Sequence, residues 1–196
     1  MNDISGFILA AFALVGSPGP ATLSLAATGA AFGARRGLGY LLGIEVGMII
    51  IMVITASGVM GMLLAVPRVA PIVTGLSGVY ILYLAYQIAT ATAETDDRKS
   101  ERHPSFLAGL FLSLVNPKAY ASMAALYSGF VLIEDHFLND ALIKGLVLVV
   151  ILTAVDVAWL LAGSRLMRRI KAPTTRRFVN ISFAALLVVA VVFAMV

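Results

Sequence analysis

Three ionisable side chains sit inside runs that are otherwise as apolar as a lipid tail: Glu45 in "GYLLGIEVGMIII", Lys118 in "SLVNPKAYASM" and Asp156 in "LTAVDVAWLL". A charge at the centre of a bilayer costs about 2.5–3.5 kcal/mol on insertion scales, so such groups are kept for proton relay, ion binding or pairing with each other. A carboxylate there can carry a proton or receive an ammonium, and a lysine can hold a carboxylate. Each also has a purely structural reading. Glu45 could make a hydrogen bond near a membrane surface, and Asp156 could form an ion pair with Lys118 that ties two helices together.

Lys118 directly follows Asn116-Pro117, and a second interruption, Ser17-Pro18-Gly19-Pro20, lies in "LVGSPGPATLSL". Asn is a favoured helix N-cap and Pro a favoured first helical residue, so both motifs read as the start of a new half-helix. A half-helix beginning inside the membrane aims unpaired N–H groups and a positive dipole end at the centre. Two such ends facing each other form a receptor for an anion such as a carboxylate. The candidate substrate-binding residues are therefore Ser17, Pro18, Gly19, Pro20, Thr22, Asn116, Pro117 and Lys118. Glu45 and Asp156 are the candidates for proton or ammonium coupling. The competing reading is an ordinary kink, since Pro and Gly are frequent in membrane helices.

The elements that must position these residues follow from composition. Of 196 residues 61% are hydrophobic and 12% charged, with a mean hydropathy of +1.00, far from a soluble domain. Six apolar runs of membrane-spanning length emerge, approximately Ile4–Phe32, Leu38–Val66, Ala70–Thr92, Ser105–Ile133, Ala141–Arg165 and Arg177–Val196. They are continuous rather than alternating, which argues for helices over barrel strands. The first run is longer than a signal-peptide core and lacks a preceding basic segment, so it reads as a retained helix.

The loops between runs alternate in charge. One face gathers Arg35, Arg36, Arg98, Lys99, Arg102, Arg165, Arg168, Arg169, Lys171, Arg176 and Arg177, and the other has Arg68 and Lys144 among Glu134, Asp135 and Asp140. The bias predicts a cytoplasmic location for the basic loops, with both termini on the periplasmic or extracellular side. Ser17 lies 13 residues after Ile4 and Asn116 lies 12 after Pro104, which at about 1.5 Å per residue puts each break roughly 18–20 Å from its entrance, near mid-membrane. Each set of three spans thus opens with a broken helix. Because three is odd, the second set enters from the opposite face. The expected fold is all-α and integral to the membrane, with six transmembrane helices in two inverted three-helix repeats. Residues 1–93 form the first repeat, 94–104 a charged linker and 105–196 the second repeat.

Other chemistries are poorly supplied. Cysteine is absent, His103 and His136 fall in separate loops without metal-ligand spacing, and no metal or cofactor is expected. The basic residues serve orientation, so no nucleic-acid partner is expected. Gly29, Gly33 and Gly37, like Gly39, Gly43 and Gly47, recur at four-residue spacing and permit close helix contact, within one protomer or across a dimer seam. Trp159, Tyr80, Tyr83, Tyr86, Tyr120 and Tyr127 could be interfacial anchors or pocket walls.

The strings "GSPGPATLSLAATGAAFGARRGLGYLLGIEVG", "SGVYILYLAYQIATA" and "FLAGLFLSLVNPKAYASMAALYSGFV" resemble the LysE-type amino-acid exporter family over nearly the whole chain. The chain has Ala21 where that family often has Asn after Pro-Gly-Pro, and Tyr127-Ser128-Gly129-Phe130 where Pro-Gln-Phe is common. The resemblance implies secondary efflux of amino acids or related small zwitterions across a bacterial inner membrane. It further implies drive by a proton or membrane-potential gradient and a homodimer in contact with membrane lipid, while the inverted repeats predict alternating access around a midplane site. It is not an enzyme on this reading. The alternatives are an intramembrane enzyme acting on lipid or peptide, and a passive small-solute channel.

Overall fold

The computed structural model describes residues 4–58, 69–90, 104–170 and 172–195, and among these every regular element is a helix. Arg68, Arg98, Lys99, Arg102, His103, Lys171, all but Pro104 of the expected linker, and the end of the second apolar run lie outside the described residues.

Helix α1 (Ile4–Gly16) stops just before Pro18 and Pro20, whose rings remove backbone donors. The chain turns by 58° into α2 (Pro20–Phe32). Gly33 alone separates α2 from α3 (Ala34–Ala56), and its φ of +82° is a conformation that favours glycine. The expected loop at Gly33–Gly37 is therefore one residue long, and Arg35 and Arg36 belong to the first turn of α3. Helix α4 covers Val69–Thr90. Ser105 caps α5 (Phe106–Val115) by accepting from the Ala108 amide. Asn116 interrupts the run in an extended conformation, and α6 (Pro117–Gly129) begins immediately after it. Helix α7 (Phe137–Arg169) is 33 residues long, overrunning the expected Ala141–Arg165 at both ends. Helix α8 (Pro173–Met195) starts four residues before the expected Arg177, with proline at its first position.

Packing pairs elements from different halves of the chain. The most extensive contacts are α3 on α5, α7 on α2, and α4 on α8. Close backbone approach explains the first two: a Cβ at Gly43 would lie 2.0 Å from the Phe106 carbonyl oxygen, and one at Gly109 would lie 2.1 Å from that of Tyr40. On the α2–α7 seam, a Cβ at Gly29 would lie 2.1 Å from the Leu160 oxygen and one at Gly163 1.8 Å from that of Ala26. Gly43, Gly47, Gly29 and Gly37 thus serve packing within the protomer, whereas Gly39 and Gly33 meet nothing within 4 Å.

Several aromatic groups act as cross-ties. Tyr40 donates to Ser24 Oγ at 2.9 Å, Tyr80 to the Ala108 carbonyl at 2.8 Å and Trp159 to the Gly16 carbonyl at 3.4 Å. Tyr83 and Tyr86 are exposed.

Large apolar side chains such as Leu9, Val53, Leu107, Val150 and Phe178 point outward, an arrangement that suits lipid as solvent. Helices α3 and α7 are each long and apolar enough to cross a membrane, and the bent pair α1–α2 would be a third span. The fold is that of an all-helical integral membrane protein.

Candidate functional site

The two chain breaks meet. The Lys118 ammonium, in the first turn of α6, reaches across to the end of α1, where it donates to the Ser17 carbonyl at 2.7 Å, Ser17 Oγ at 2.8 Å and the Pro18 carbonyl at 3.4 Å. Carbonyls at a helix C-terminus carry the negative end of its dipole, so a cation is tolerated there without a carboxylate. Lys118 therefore does not pair with Asp156, and the structural ion pair that stood as the alternative reading is replaced by a helix-end contact. Gly19 is what lets the lysine stem pass, since a Cβ there would lie 2.8 Å from Lys118 Cδ and 2.9 Å from Nζ.

The two half-helix starts differ in how their amides are used. In α6, Asn116 Oδ1 accepts from the Lys118 amide at 3.1 Å and its carbonyl accepts from the Ala119 amide at 3.1 Å, so the cap expected at Asn116-Pro117 forms and closes its own terminus. In α2, the Gly19 N–H donates to Thr22 Oγ at 2.9 Å, while Pro20 has no donor. The amides of Ala21 and Thr22 fall in the first turn, where no helical acceptor exists.

Between these ends lies a cavity of about 40 Å³, lined by Gly19, Pro20, Thr22, Asn116, Lys118 and Asp156 together with apolar neighbours. That is room for about one water molecule and far less than an amino acid needs. Asp156 is 2% exposed and its Oδ2 has no hydrogen-bond partner among the described residues. Glu45, 7% exposed, does not line the cavity. Its carboxyl group lies within electrostatic reach of Asp156 and beside Thr153, and one of its oxygens is also unpartnered among the described residues.

Among the ten residues singled out from the sequence, Gly19, Pro20, Thr22, Asn116, Lys118 and Asp156 are brought together at the cavity. Ser17 and Pro18 anchor the lysine from its side, whereas Pro117 and Glu45 do not line the cavity. Sequence reasoning missed Ile44, Met48, Ser122 and Leu152, which line it together with Leu14, Val15, Ala21 and Ala119. Each lies one helical turn from a flagged or lining position (44 and 48, 118 and 122, 152 and 156), so helical periodicity was the available signal. None of the flagged aromatic residues lines this cavity. Among the described residues no group of His, Asp and Glu is arranged to hold a metal ion.

The profile of the LysE type translocator family matches residues 12–196. The chain is 28% identical over 172 residues to cysteine/O-acetylserine efflux proteins of Salmonella paratyphi A and Escherichia coli, covering 88% of this chain and 87% of each relative. No solved structure gives a significant match. The match spans both chain breaks and every residue that lines the cavity, and on that ground the protein belongs to the LysE type translocator family and is a transporter rather than an enzyme.

Proposed function

We propose that the protein is a secondary active exporter of an amino acid or closely related small zwitterion in a bacterial inner membrane. The observation that carries the reading is the convergence of both chain breaks, Lys118 and Asp156 on one cavity. The substrate carboxylate is received by the open first turn of α2 at Ala21 and Thr22, within reach of Lys118. The ammonium or the coupled proton is taken by Asp156, with Glu45 as the neighbouring acid through which the proton passes. A proton suffices to neutralise a buried carboxylate, so loading and coupling share one group. The relatives named for cysteine and O-acetylserine support a small substrate without a charged side chain.

The proposal includes six spans in two three-helix units of opposite orientation, residues 1–93 and 105–196, joined by the linker 94–104. The exchange of partners, with α3 on α5 and α7 on α2, supports it, because inverted units build one site only when each contributes to the other. Arg35, Arg36, Arg168, Arg169 and Arg176 mark the cytoplasmic end, and both termini lie on the periplasmic side. Opening of a cavity now too small for its cargo, alternately to the two faces, is the transport step. Assembly is as a homodimer.

The test is uptake into proteoliposomes of radiolabelled amino acids, including cysteine and O-acetylserine, with and without a pH gradient. Saturable accumulation that needs the gradient is expected. Equilibration without saturation would make the protein a channel, and absence of transport for every zwitterion would overturn the reading.

A further inference from the structure

A cleft of about 460 Å³ opens where the end of α2, the start of α3, the end of α7 and the start of α8 come together. It lies at the end of α7 remote from Asp140 and Lys144 and is separate from the central cavity. Four arginines line it, Arg35, Arg36, Arg168 and Arg176. Among the described residues none of them is ion-paired; the described salt bridge joins Lys144 to Asp140. Four like charges around one cleft repel one another unless an anion sits among them.

Two of the guanidinium groups are held in place. Arg168 Nη2 donates to Ser164 Oγ at 3.4 Å, which also accepts from the Ala34 amide at 3.3 Å, and so locks the end of α7 to the start of α3. Arg176 uses Nε on the Ile170 carbonyl at 2.9 Å. A guanidinium has five donors, and both groups keep donors in hand. Phe32 and Met167 supply an apolar side to the same cleft. A rigid fork of N–H donors over an apolar floor fits a phosphate group, which arginine binds through two parallel hydrogen bonds.

We propose that this cleft is a phosphate-binding site, filled by the phosphodiester of an anionic lipid headgroup or by a soluble phosphate. It lies at helix ends, and three of the four helices, α3, α7 and α8, turn apolar side chains such as Val53, Val150 and Phe178 outward lower down, which is where a headgroup lies. The site does not depend on the transport reading, and its readout is binding.

The test is thermal unfolding of the purified full-length chain in neutral detergent with four probes: phosphatidylglycerol, cardiolipin, phosphatidylcholine and sodium phosphate. A ligand of the folded state raises the midpoint in proportion to its occupancy. The expected result is a rise with the anionic lipids or with phosphate and a smaller one with phosphatidylcholine. Half-saturation should need at least tenfold more probe in Arg168→Gln and Arg35→Gln, whereas Arg165→Gln, outside the cleft, should match the parent. The Arg35 side chain makes no hydrogen bond or ion pair within the described residues, so a misfolded Arg168 variant would not obscure the answer. A rise with sodium phosphate identifies a soluble ligand, and a rise with anionic lipid alone identifies a headgroup. Equal rises with phosphatidylcholine, equal losses in Arg165→Gln, or no rise at all would overturn the proposal. So would binding that appears only when Glu94, Asp96, Asp97 and Glu101 are all neutralised, because the linker would then be the occupant.

Discussion

Two sets of charged side chains lie along α7, and the molecule treats them oppositely. At the first turns of the helix, Lys144 is 2% exposed and Asp140 8%, and they pair at 2.6 Å. The rest of their capacity is filled. Asp140 Oδ1 accepts the amides of Leu132 and Ile133 at 2.6 and 3.0 Å, and Lys144 also donates to the carbonyls of Tyr127 and Phe130. The pair thus ties the end of α6 and the loop after it to α7. Sixteen residues further along, Asp156 is as deeply buried but keeps an oxygen with no partner among the described residues, as does its neighbour Glu45. Charges that are fully paired and hydrogen-bonded hold a fold together, and charges left short of partners beside a cavity are available to a ligand.

That contrast can be broken most severely at the first set. Lys144→Ala leaves Asp140 buried without its cation and should cost about 3–5 kcal/mol, measured by unfolding of the purified protein in detergent. A loss below about 1 kcal/mol would mean the pair is not what fastens the loop.

Lys118→Ala should do the reverse. It strands no carboxylate, so the protein should remain folded while counterflow in proteoliposomes falls by at least about tenfold, equivalent to 1.4 kcal/mol of barrier. Asp156→Asn in the same assay should retain exchange but abolish accumulation driven by a pH gradient. Normal gradient-driven accumulation in Asp156→Asn would assign coupling elsewhere.

The smallest effects sharpen the same line between structure and function in the seams. Gly163→Ala, whose Cβ would fall 1.8 Å from the Ala26 oxygen, should destabilise by about 1–3 kcal/mol through overpacking. Gly39→Ala, with open space around it, should stay within about 0.5 kcal/mol, both read by the same unfolding measurement.

The breaks were legible because proline cannot donate a hydrogen bond wherever it is placed, and the cap at Asn116 because its partner lies two residues away. The close-packing glycines were legible as a spacing, although the opposing residues were not. Lys118 shows where such reading stops: its acceptors are 100 and 101 residues away in sequence and are mostly backbone carbonyls, which carry no residue signature. An acid was the obvious partner, and the end of a helix took its place. Lys144 was counted as an orienting surface charge for the same reason, since nothing local announces that the loop at 130–136 folds over it. Single-residue connections also escape notice, as at Gly33, where a run of charge read as loop is the opening turn of α3.

The length of α7 has a mechanical consequence. Its 33 residues make a rod of about 50 Å, against a hydrocarbon thickness of about 30 Å. Asp156 rides in the inner part of that rod, whereas the Asp140–Lys144 clamp and Arg168 ride near its tips. Pivoting the rod by about 10° would sweep each tip through roughly 4 Å and leave the middle almost still. On the transport cycle proposed above, a lever with its fulcrum beside the acid would open either mouth of the protein while the carboxylate keeps its place.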